Sequence, residues 1–99
     1  MTTNIKSDLL YNVKYFDDEG AAVEVKVWRV PRSQDKPHGL RYSFAYIVKG
    51  ERLIGYDNAE GKGDHRHVKG KESAYSFKSL KKLWADFFKD IEAIKEGKL

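Results

Sequence analysis

The chain has 99 residues, of which 40% are hydrophobic and 13% aromatic. That is one domain by length, able to bury roughly 60–70% of its unfolded surface in a single core. It has no cysteine, which excludes disulfides, thiolate metal sites and thiol nucleophiles. The net charge of +4 is spread over both signs without a polybasic tail; this is compatible with a polyanionic partner, but charge alone favours a merely solubilised surface.

The opening residues, MTTNIKSDLL, hold no apolar stretch of the signal-peptide kind. No apolar run approaches the roughly 20 residues of a membrane helix. The expectation is a cytoplasmic protein with no membrane partner.

Residues 8–16 (DLLYNVKYF) are rich in β-branched and aromatic side chains and read as a strand. Asp17-Asp18-Glu19-Gly20 follows as a hairpin loop, its aspartates able to accept local backbone hydrogen bonds. Residues 21–30 (AAVEVKVWRV) alternate, with Val23, Val25 and Val27 on one side and Glu24 and Lys26 on the other. Pro31 ends this strand, because proline cannot donate to a ladder. Trp28 reads as core on a strand face, with base stacking as the alternative.

Residues 32–39 form a long loop punctuated by Pro37 and Gly39. Residues 40–49 alternate again, Leu40, Tyr42, Phe44, Tyr46 and Val48 opposite Arg41, Ser43 and Lys49. Gly50 makes a tight turn into residues 51–58 (ERLIGYDN), where Gly55 suggests a bulge. Residues 59–74 read as a glycine- and charge-rich loop with room for a short fifth strand over 65–68. From Phe77 the period becomes helical: Phe77, Leu80, Leu83, Trp84, Phe87, Phe88, Ile91 and Ile94 form one stripe to about residue 96. Ser76 or Ser79 can cap its start, and Gly97 suits its end. The expected fold is α+β: one domain over 1–99, an antiparallel meander of about four strands packed on one C-terminal helix.

Chemistry concentrates in Tyr56-Asp57-Asn58 and Gly61-Lys62-Gly63-Asp64-His65-Arg66-His67. On an extended backbone His65 and His67 point to one side. His38, in the other long loop, stands just before a strand able to run beside this segment. Three readings stay open. Histidines move protons near neutral pH, lysine and arginine stabilise a phosphoryl group, and glycines let amides approach it. Alternatively, His65, His67 and Asp64 bind a divalent metal. The third reading is a solvated hairpin loop. Asp57 and Asn58 either build a turn at the strand end or orient an imidazole.

Several blocks together resemble the TumE-like family of toxin–antitoxin systems. They are Trp28-Arg29-Val30-Pro31, His38-Gly39-Leu40-Arg41-Tyr42, Arg52-Leu53-Ile54-Gly55-Tyr56-Asp57-Asn58 and the Gly61–His67 run, then Tyr75-x-Phe77, Leu83, Asp86-Phe87 and Asp90-Ile91. The resemblance covers nearly the whole chain. It implies the toxin of a two-gene module, neutralised by a cognate antitoxin that is a DNA-binding protein from a neighbouring gene.

By analogy with small basic toxins, the enzyme reading is a metal-independent ribonuclease that needs no cofactor. In it His65, His67 and His38 share the acid and base roles, and Asp64 or Asp57 orients an imidazole. Arg66, Lys62, Lys69 and Arg41 hold the phosphate or nucleic acid. The other reading is a non-catalytic module gripping RNA or a protein through the same loop. A third reading is a structural protein of unknown role that forms a homodimer through a sheet edge.

Overall fold

The computed structural model describes residues 7–59 and 61–99. Its elements in chain order are β1 (Asp8–Phe16), β2 (Ala22–Arg29), β3 (Leu40–Val48), β4 (Glu51–Asp57), β5 (His65–Val68), β6 (Lys71–Ala74) and α1 (Leu80–Lys95). The strands lie in sequence order in one sheet, and every neighbouring pair is antiparallel. The class is α+β with one C-terminal helix, as expected, but the strand count is six rather than four or five.

The additional hairpin is β5–β6, in a stretch that reads as loop because its strands have four residues each and no apolar alternation. Its turn supplies the reason it forms. Lys69 and Gly70 have φ of 49° and 84°, the positive pair that a two-residue hairpin turn requires. Lys49 and Gly50, between β3 and β4, have φ of 51° and 80°. The same Val-Lys-Gly tripeptide precedes both reversals.

The alternating residues of β2, β3 and β4 build the core. Val23, Val25, Val27, Tyr42, Phe44, Tyr46, Ile54 and Tyr56 are buried against Leu83, Phe87 and Ile91 of α1. Phe87 meets the Phe44 and Tyr56 rings edge-on at centroid distances of 5.3 and 6.3 Å. The bulge of β4 falls at Leu53 rather than Gly55, since Tyr46 pairs with Ile54 and Ile47 with Arg52. Gly55 has another reason to lack a side chain: a Cβ there would stand 3.0 Å from the Arg52 Cδ.

α1 starts three residues later than its apolar stripe suggests. Ser79 caps it, its hydroxyl accepting from Lys82 N at 3.0 Å, and Phe77 lies outside the helix in the segment leading to it. The C-terminus closes as expected, with Gly97 at φ 73° and Lys98 N donating to Ala93 O. β1 lies at a sheet edge with Leu9, Leu10, Tyr11, Tyr15 and Phe16 exposed. No helix among the described residues is long and apolar enough to cross a membrane.

Candidate functional site

Side chains alternate across a strand, so register decides what meets what. Tyr56 belongs to the face under α1, and it pairs with Arg66; Asp57 pairs with His65 and Gly55 with His67. Arg66 therefore points toward the helix, while His65, His67 and Asp57 point to the opposite, open face. Asp64 shares the parity of Arg66 and also turns toward the helix side.

The open face carries a histidine–carboxylate cluster. His67 Nε2 lies 3.2 Å from Asp57 Oδ2, both side chains largely shielded from solvent. A carboxylate beside Nε2 favours the proton on that nitrogen and leaves Nδ1 as the acceptor. Nδ1 of His67 has no hydrogen-bond partner among the described residues. The contact is close without being aligned as a hydrogen bond, a looseness common in unliganded sites. Arg52 reaches the same carboxylate, Nη1 to Oδ2 at 3.6 Å. Its side chain crosses the space left by Gly55. His65 is more tightly engaged. Its Nε2 meets Lys62 O at 2.9 Å, and its buried Nδ1 lies 2.7 Å from Glu72 Oε2 without hydrogen-bond alignment.

The helix side holds the other members. His38 Nε2 meets Asp64 Oδ2 at 3.0 Å, and its Nδ1 accepts from Leu40 N at 3.2 Å. Both ring nitrogens are thus occupied, and the ring lies on Phe77 with centroids 4.1 Å apart. Asp64 also accepts from the Tyr42 hydroxyl at 2.6 Å. Burial, with the adjacent Asp64 carboxylate, pushes the Tyr42 hydroxyl far above its ordinary value, so it remains a donor. Arg66 grips Asp90 bidentately, Nε and Nη2 at 2.9 Å each, and Tyr56 donates to the same carboxylate. The Asp90 hydrogen bonds raise the Arg66 guanidinium still further. Asn58 is fully buried, Oδ1 accepting from Tyr42 N and Nδ2 donating to Leu40 O. It extends the β3 backbone ladder rather than orienting a histidine.

The structure thus brings His65, His67 and Asp57 together and sets His38, Asp64 and Arg66 apart from them, on the far side of the sheet. The metal reading loses its geometry with that separation. No group of three or more histidine and carboxylate side chains among the described residues is arranged to hold an ion. Lys69 occupies the β5–β6 turn, exposed, and the carbonyl of Lys62 holds His65. Trp28 is not core. It sits half-buried on the open face, paired across strands with Arg41, whose guanidinium lies 4.5 Å from the ring centroid. Sequence reasoning overlooked Arg52, Glu72 and Lys26. The parity of Lys26 and Trp28 within one strand was available to find Lys26, but nothing local says that Arg52 folds back over Gly55.

These features define a small antiparallel-sheet protein with one face sealed by a helix and one polar, cation-bearing face left open. A family model described as Toxin TumE matches residues 3–95, and the chain belongs to that family. Membership carries the general implication of a toxin component with an antitoxin partner. No curated protein and no solved structure matches the chain.

Proposed function

We propose that this chain is the toxin of a toxin–antitoxin module and cleaves RNA in the cytoplasm without a metal ion, using the open face of its sheet. The observation that carries this reading is the Nδ1 of His67, which has no hydrogen-bond partner among the described residues. Of the three histidines, His67 alone combines a carboxylate at one nitrogen with a partnerless second nitrogen. In this reading His67 is the general base that removes a proton from the ribose 2′-hydroxyl, and Asp57 orients its ring. The 2′-oxygen attacks phosphorus, and the 5′-oxygen leaves with a proton supplied by His65, on the same face two residues away. The Arg52 guanidinium balances charge on the phosphoryl oxygens. His38, held at both ring nitrogens, and Arg66, held bidentately by Asp90, serve the scaffold. The antitoxin is a DNA-binding protein encoded beside the toxin gene.

The second reading is binding without cleavage. It draws support from the tight engagement of His65, which leaves the proposed acid held by two oxygens. One variant separates the two. His67→Ala, expressed without the antitoxin, should lose growth inhibition and RNA degradation, because a general base contributes about 10²–10⁴ in rate. Fully retained toxicity would sink the catalytic reading. Purified wild type should cleave RNA equally well with and without a chelator.

A further inference from the structure

The open face has a second feature away from the histidines. Along β2, Lys26 and Trp28 share that face, and Arg41 stands across from Trp28 on β3. Most charges on this face are matched: Lys14 with Glu24, Arg52 and His67 with Asp57, His65 with Glu72. Lys26 and Arg41 are both exposed, and neither has a carboxylate partner among the described residues. Among the described residues, these two cations without a carboxylate partner therefore flank the face's tryptophan. Beside them is a groove lined by Asn12, Val13, Lys14, Glu24, Lys26 and Ser43.

A cross-strand row links this region to the histidines. Asn12 pairs with Lys26, Lys26 with Ser43, Ser43 with Asp57 and Asp57 with His65. At ~4.8 Å per strand, Lys26 on β2 and His65 on β5 stand about 14 Å apart, a span that several nucleotides of an extended chain cover.

From this arrangement we infer that Trp28, with Arg41 and Lys26, forms a subsite for single-stranded RNA, in which an unpaired base stacks on the indole and the two cations take the flanking phosphates. The inference rests on the reading that this face meets RNA. An aromatic ring beside unpaired cations is the arrangement that holds single strands without reading sequence. A duplex keeps its bases stacked on one another and offers no free base face to Trp28. Arg41 lies over one face of the indole, so the base takes the other face and the guanidinium stands ready for its phosphate.

The test uses a short labelled RNA of mixed sequence, alone and annealed to its complement. Binding is measured to the full-length His67→Ala protein so that the probe stays intact. The single strand should bind more tightly than the duplex. Adding Trp28→Leu should weaken single-strand binding roughly tenfold, and Trp28→Phe should keep most of it, which separates stacking from mere packing. Arg41→Ala and Lys26→Ala should each flatten the salt dependence by about 0.7 in log–log slope. Equal binding by the Leu and Phe variants, a preference for duplex, or no binding of the single strand would each overturn the subsite. The two proposals fail separately. A wild type that never cleaves RNA, alongside Trp28-dependent binding, defeats the catalytic reading alone. Cleavage with Trp28-independent binding defeats the subsite alone.

Discussion

The two faces of the sheet use the same residue types for opposite purposes. Under α1, Arg66, Asp90 and Tyr56 close on one another, as do His38, Asp64 and Tyr42. Asp90 and Asp64 each accept from two of these partners, which is what lets polar groups be buried at all. On the open face, among the described residues, His67 Nδ1 has no hydrogen-bond partner and Lys26 and Arg41 have no carboxylate partner. An arginine or histidine between 38 and 67 therefore says nothing about chemistry until its face is known. Groups closed on one another hold the scaffold; in the proposed reading, those left open are the ones offered to a ligand.

The sharpest way to break that contrast is at Asp90. Asp90→Ala strands the Arg66 charge and the Tyr56 hydroxyl, and should cost about 3–5 kcal/mol in a denaturant melt. Phe87→Ala, which empties the aromatic centre of the core, should cost a similar ~3–5 kcal/mol. A loss below about 1 kcal/mol at either site would mean that α1 does not seal this face as described. The two arginines sharpen the comparison from the other side. Arg66→Ala should lower stability by roughly 3 kcal/mol or more. Arg52→Ala, which breaks a half-exposed pair, should change stability by less than about 1 kcal/mol while reducing the proposed RNA cleavage. The reverse pattern would exchange the roles assigned to the two faces.

The smallest effect concerns pH. Burial pushes the Asp17 carboxyl up, but hydrogen bonds from Ala21 and Glu19 and the Lys95 ammonium outweigh it and leave it below its ordinary value of 3.8. Asp86 is depressed in the same way: burial raises it, and Lys82 and Tyr75 more than compensate. A carboxyl depressed in the folded state stabilises fully above its unfolded value and loses that contribution as pH falls through the folded one. Stability should therefore be flat near neutrality and decline below about pH 4. Asp17→Asn should make that decline shallower, as read from urea midpoints across the acid range. An unchanged slope would show that the β1–β2 turn is not tied to the end of α1 by charge.

The period of two in β2 and β3 and the period of 3.6 after residue 80 are local patterns of apolar residues, so the sheet, the helix and most of the core were legible in the order of amino acids. So was the shared side of His65 and His67, which follows from their spacing alone. The β5–β6 hairpin was half legible: Val-Lys-Gly occurs twice, but strands as short and polar as these hold together only when β4 lends them a ladder. Phe77 fits the helical stripe by spacing, yet the Ser79 cap leaves it to stack on His38 instead.

The division of the histidines between faces was decided by tertiary structure alone. It depends on Tyr56 pairing with Arg66 rather than with a neighbour, and a shift of one residue would have turned every side chain of β5 over. That register is set by bonds between strands and by the helix that covers one of their faces. Because Asp90, which closes on Arg66, lies 24 residues away on the helix, no local pattern could tell which of these charged residues would be closed into the scaffold and which left on the open face.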